Sequence, residues 1–67
     1  MNEPKKYWKI EVVDWGILYA TGTEAQAEEW RVHKANWEHS IARKTELKTD
    51  YDIRGREFKN LSDLLIS

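Results

Sequence analysis

Two short runs, Tyr7-Trp8-Lys9-Ile10-Glu11-Val12-Val13 and Ile17-Leu18-Tyr19-Ala20-Thr21, flank Asp14-Trp15-Gly16. Both are rich in β-branched and aromatic residues, and a three-residue connection with glycine in the left-handed region is a known hairpin loop. Pairing Val13 with Ile17 sets Val12 opposite Leu18 and Ile10 opposite Ala20. Trp8, Ile10, Val12, Leu18 and Ala20 then share one face, and that face has no polar residue, so the rest of the chain must cover it. The other face carries Tyr7, Lys9, Glu11, Val13, Ile17, Tyr19 and Thr21, a mixed surface able to meet water, a third strand or a partner.

The cover is expected from a helix. Thr23 is a good N-cap, Gln26 stands three residues later as in a capping box, and Glu24, Glu28 and Glu29 suit the positive end of the helix dipole. No Pro or Gly interrupts the chain from Thr23 to Arg54, and Arg43 and Lys44 suit a helix C-terminus, so the helix is expected over residues 24–46. Ala27, Trp30, Trp37 and Ile41 recur at helical spacing and form the stripe expected to lie on the hairpin, with the two tryptophans at the centre of the core. A helix of that length reaches about 33 Å, against about 20 Å for a six-residue strand, so it overhangs the sheet.

From Leu47 the period becomes two: Leu47, Thr49, Tyr51 and Ile53 alternate with Lys48, Asp50, Asp52 and Arg54, which predicts a third strand over residues 47–54. Gly55 allows a turn, and Asn60 can cap a short helix over residues 60–66 whose Leu61, Leu64 and Leu65 share a face. A right-handed crossover makes the third strand parallel to the second and most simply beside the first. The expected fold is a small α+β domain in the order β-β-α-β-α, one domain over residues 1–67 with residues 1–6 as a flexible N-terminal tail.

Composition excludes several classes. With 67 residues and no Cys, a disulfide scaffold and thiolate metal sites are out, and so short a chain buries only about 60% of its unfolded surface. No apolar run approaches the roughly 18 residues of a membrane span, which points to a soluble, cytoplasmic protein. Eleven basic against twelve acidic residues argue against a general basic nucleic-acid surface. His33 and His39 diverge by about 120° on a helix, and Glu29 with His33 is too small a ligand set for a metal. Ser40, Ser62 and Ser67 lie in no catalytic context, no glycine-rich phosphate loop exists, and Asp50 with Asp52 reads as a solvated face. Neither an enzyme nor a cofactor is expected.

Aromatic content carries the functional expectation. Four Trp and three Tyr exceed what one small core must contain, and Trp15 at the hairpin tip is hard to bury within its own chain. The partner-binding surface is expected at Tyr7, Trp15, Tyr19 and Lys9, where rigid rings add contact area at low entropy cost. The bland alternative folds the third strand or C-terminal helix over that face, with Trp15 against the helix end. A nucleic-acid alternative stacks bases on Tyr7, Trp15 and Tyr19 with phosphate contacts from Lys5, Lys6, Lys9, Arg54, Arg56 and Lys59. Arg31, Ala35, Glu38 and Ala42 lie on a flank away from the stripe, and Val32 near Ala35 could seed a homodimer contact. The expected role is that of a small regulatory or accessory protein whose partner is another protein.

Overall fold

The computed structural model describes residues 4–66. Strands β1 (Lys6–Val12) and β2 (Gly16–Gly22) form the hairpin, α1 (Glu24–Glu38) crosses over, and β3 (Ala42–Leu47) follows. A single helical turn, α2 (Asp50–Ile53), leads to β4 (Lys59–Asn60) and α3 (Leu61–Ile66). The four strands lie in the order β3-β1-β2-β4, so β1 and β2 are central. β3 pairs antiparallel with β1, hence runs parallel to β2 beside β1 as the crossover argument expects. The short β4 pairs parallel with β2 and is an additional strand that the sequence pattern does not signal. Of the expected tail, residues 1–3 lie outside the described residues, and Lys6 already belongs to β1.

The hairpin has the expected faces in a different register. Trp8 pairs with Ala20, Ile10 with Leu18 and Val12 with Gly16, a shift of two residues that leaves every side chain on its own face. The loop is therefore Val13-Asp14-Trp15: the Trp15 N–H donates to the Val12 carbonyl at 3.1 Å, and Asp14 takes the positive φ of 68° that a type II turn requires at its third position. Val13 is tied to the neighbouring chain, its N–H donating to the Ile41 carbonyl at 2.9 Å and its carbonyl accepting from the Ser40 hydroxyl at 2.6 Å. Those bonds extend the β1–β3 ladder by one residue and move the turn away from Gly16.

α1 and α3 cover the apolar face. Trp8, Ile10, Val12, Ala20, Ala27, Ala42 and Leu61 are buried, with Leu18, Trp30, Ala35 and Leu64 packed against them. The capping box forms as read: Thr23 Oγ1 accepts from the Gln26 N–H and Gln26 Oε1 accepts from the Thr23 N–H. Asn60 caps α3 by accepting from the Ser62 N–H at 3.1 Å. Gly22 is more than a turn residue: a Cβ there would stand 2.9 Å from Leu61 Cδ1, so its bare backbone lets Leu61 enter the core. Its carbonyl also accepts from the Trp8 indole N–H at 3.0 Å.

Three expectations require correction. α1 stops at Glu38 instead of continuing to residue 46, because His39 takes the left-handed cap conformation (φ 53°, ψ 45°) and residues 42–47 pair with the free edge of β1. Arg43 and Lys44 are therefore strand residues, and no long helix overhangs the sheet. Residues 50–53 are helical and not the core of a third strand, because Thr49 Oγ1 captures the Asp52 N–H at 3.2 Å and starts a turn. The stripe is also rotated. Ala27 and Ala35 face the core, Trp30 is half-buried, and Trp37 and Ile41 are 73% and 64% exposed. Small alanines let the helix approach a sheet that already carries Trp8 and Ile10, and bulky indoles are displaced to the flank. Ala42 is buried and Ala35 is half-buried against the core, which leaves little surface there for a second helix.

Candidate functional site

The expected aromatic surface divides into two. Trp15 turns from the hairpin tip toward α1, where its ring meets Trp30 edge-on with centroids 5.7 Å apart. Lys34 Nζ stands 4.4 Å over the Trp15 ring while pairing with Glu38 at 3.0 Å. Trp15 keeps 42% exposure, so the hairpin tip is half packed against the helix and half open. Trp37, one turn after Lys34, flanks a groove of about 280 Å³ between α1 and α3 lined by Trp30, His33, Lys34, Trp37 and Leu64. Sequence reasoning places Trp37 in the core; His39-Ser40, able to supply a left-handed cap, is the signal that could have ended the helix there.

Tyr7, Tyr19 and Lys9 lie on the opposite sheet face. The chain after α2 returns across it: Phe58 meets Tyr7 and Tyr19 edge-on at 4.9 and 6.0 Å, and the Arg56 guanidinium lies 4.4 Å over the Tyr19 ring. This strap, held by Arg56 Nε donating to the Asp52 carbonyl at 2.8 Å, leaves Tyr7 40% exposed and Tyr19 half-buried. Lys9 pairs with Glu11 at 3.7 Å.

Of the basic residues of the nucleic-acid reading, Arg56 lies over Tyr19 and Lys9 pairs across strands with it, and both are engaged within the chain. Lys6 pairs with Glu46 and Arg54 with Asp50, each at 3.5 Å; Arg56 is bound into the strap; Lys5 and Lys59 are exposed. Glu28 forms a bracket between α1 and β3, accepting from Arg31 at 2.6 and 2.9 Å and from Lys44 at 2.9 Å, while Arg31 also donates to the Ala42 carbonyl at 2.8 Å. Hydrogen bonds from Arg31 first and Lys44 second hold the Glu28 carboxyl at about 2, and Glu28 in turn raises Arg31. The bracket accounts for the charged composition of β3: Lys44, turned to the helix side at a sheet edge, is neutralised by the helix above it.

Among the described residues no three His, Asp or Glu side chains converge as a metal site would require, and no helix is long and apolar enough to cross a membrane. The hollow beside Tyr51, which is 92% exposed, is lined by Asp50, Tyr51 and Arg54 on the single turn α2. Its only charged side chains are the ion-paired Asp50 and Arg54. No protein-family model, curated protein or solved structure matches the chain.

Proposed function

We propose that this protein is a small non-enzymatic binding domain that docks a protein partner on the tryptophan groove lined by Trp30, Lys34 and Trp37, with Trp15 packed on Trp30 and Lys34. The observation that carries this reading is the 73% exposure of Trp37 beside a half-buried pair of indoles, because a chain this short would gain stability by burying that ring. Tryptophan is the residue type most enriched where binding energy concentrates. The groove suits apolar side chains of a partner segment, and Lys34, Glu38 and Glu29 on the same helix would fix its orientation.

Nucleic-acid stacking has less support. Phe58 and Arg56 already engage the two tyrosine rings, and four of the six phosphate-contact candidates, Lys6, Lys9, Arg54 and Arg56, are bound to carboxylate or carbonyl groups of the chain itself.

The test compares wild-type and Trp37→Ala protein as affinity baits, purifies what only the wild type retains, and measures its binding by titration calorimetry. At least a tenfold loss in Trp37→Ala with an unchanged melting temperature supports the reading. Equal affinity for both baits sinks it. Saturable quenching by random oligonucleotides that fades steeply with salt would put the nucleic-acid reading first.

A further inference from the structure

The sheet face opposite the helices is covered by the strap only near the start of β1. At the hairpin end no described residue is laid across it. Here Ile41 stands beside Val13, joined through the Val13 N–H, and the two are 64% and 55% exposed. Ile17, 49% exposed, lies in the next row opposite Glu11, whose other cross-strand neighbour is Arg43. Three aliphatic side chains thus run across adjacent strands, bordered by one acid and one base. Glu11 leans toward Lys9, and among the described residues Arg43 forms no ion pair.

We propose that this half of the sheet face is an interface with a second copy of the chain, packed face to face about a two-fold axis. Val13, Ile17 and Ile41 are buried against the same residues across the axis. Arg43 meets Glu11 of the partner subunit, and the reciprocal contact follows from the symmetry. Charge singles out a second copy as the occupant. A surface with opposite charges side by side complements itself under two-fold rotation, and a chain of net charge −1 repels its own copy very little. Two sheets packed in this way lie about 10 Å apart with side chains interdigitating, which suits a row of branched aliphatics. A standard interface removes about 800 Å² from each partner, roughly one sixth of the 5132 Å² that this chain exposes. The strap confines contact to half the face, so the expected dimer is weak, dissociating at about micromolar concentration. This surface is separate from the tryptophan groove, and the dimer carries two such grooves facing outward.

The experiment is sedimentation velocity across about 0.1 to 100 µM, where the mass should rise from 8.0 kDa toward twice that value. Ile41→Lys, Arg43→Glu and Glu11→Arg should each weaken association at least tenfold, while an equal mixture of Arg43→Glu and Glu11→Arg restores it. Each single variant has like charges at the contact, and only the mixed pair has opposite ones. An intrachain role for these residues gives no recovery on mixing. A monomer at every concentration overturns the proposal, as does a dimer indifferent to these substitutions or one broken by Trp37→Ala instead. Should a variant fail to fold, dilution of the wild-type protein followed by amide NMR decides the matter: shifts confined to Val13, Ile17, Ile41 and Arg43 support the interface, and shifts confined to the groove refute it.

Discussion

The two faces of one three-stranded surface, β3-β1-β2, have different fates. On the helix side, Trp8, Ile10, Val12, Ala20 and Ala42 are buried under α1 and α3. On the other side, Tyr7, Val13, Ile17 and Ile41 keep between 40% and 64% exposure, with only Phe58 and Arg56 laid across one end. Both sides carry large apolar residues, so hydrophobicity alone does not separate them. What separates them is cover: a capped helix and the Leu61 anchor on one side, a short strap on the other. The helix-side face holds the fold together, and the strap-side face retains surface for contact.

Substitutions on each face test this contrast. Ile10→Ala on the covered face should cost about 2 to 5 kcal/mol and Trp8→Ala about 3 to 5, enough to unfold so small a domain. Urea denaturation checks this, and a soluble, cooperatively folded Trp8→Ala protein would contradict the core assignment. Gly22→Ala comes next. The added methyl meets Leu61 and Gln26 Oε1, so about 1 to 3 kcal/mol should be lost, read as a lower melting temperature. On the strap side, Phe58→Ala should cost less, about 1 kcal/mol, because the ring is only partly buried. Its sharper signature is faster hydrogen exchange of the 54–60 amides with the core amides unchanged.

The Glu28 bracket predicts a smaller, pH-dependent effect. A carboxylate whose folded-state value lies near 2 contributes stability above its unfolded value of about 4.5 and loses it as the pH falls through about 2. The melting temperature of Glu28→Gln should therefore drop less than that of the wild type between about pH 5 and pH 2, with the difference shrinking in high salt because the bracket lies at the surface. Smallest of all is Trp37→Ala, expected within about 0.5 kcal/mol of the wild type. A loss several times larger would return Trp37 to the core and remove it from the proposed docking site.

Legibility in the sequence followed the range of the interactions. The hairpin faces depend on a period of two, and both survive a register shift of two residues. The Thr23–Gln26 box and the Asn60 cap are contacts between residues two or three positions apart, and both form as read. The stretch from His39 to Lys59 was not legible in this way. Ala42-Arg43-Lys44-Thr45-Glu46-Leu47 has good helix formers and charges on both faces, and it becomes a strand because β1 offers an edge and because Glu28 and Lys6 neutralise Lys44 and Glu46. Residues 50–53 alternate like a strand, yet no strand edge receives them and the Thr49 cap prevails.

The same division applies to the aromatic surface. An excess of rings over what one core can hold was evident from composition, and so was the exposed position of the hairpin tip. Which rings remain outside was decided by packing. Once Trp8 and Ile10 occupy the sheet face, the helix lies closest along Ala27 and Ala35, so Trp30 turns to meet Trp15 and Trp37 is left at the surface. Short-range signals thus set the hairpin, the start of α1 and the capped α3. Tertiary packing settled which segment pairs with β1 and how Trp15 and the two tyrosines come to lie on opposite faces. Each of those outcomes depends on volume and hydrogen-bond partners supplied by residues distant in the chain, and no local pattern encodes them.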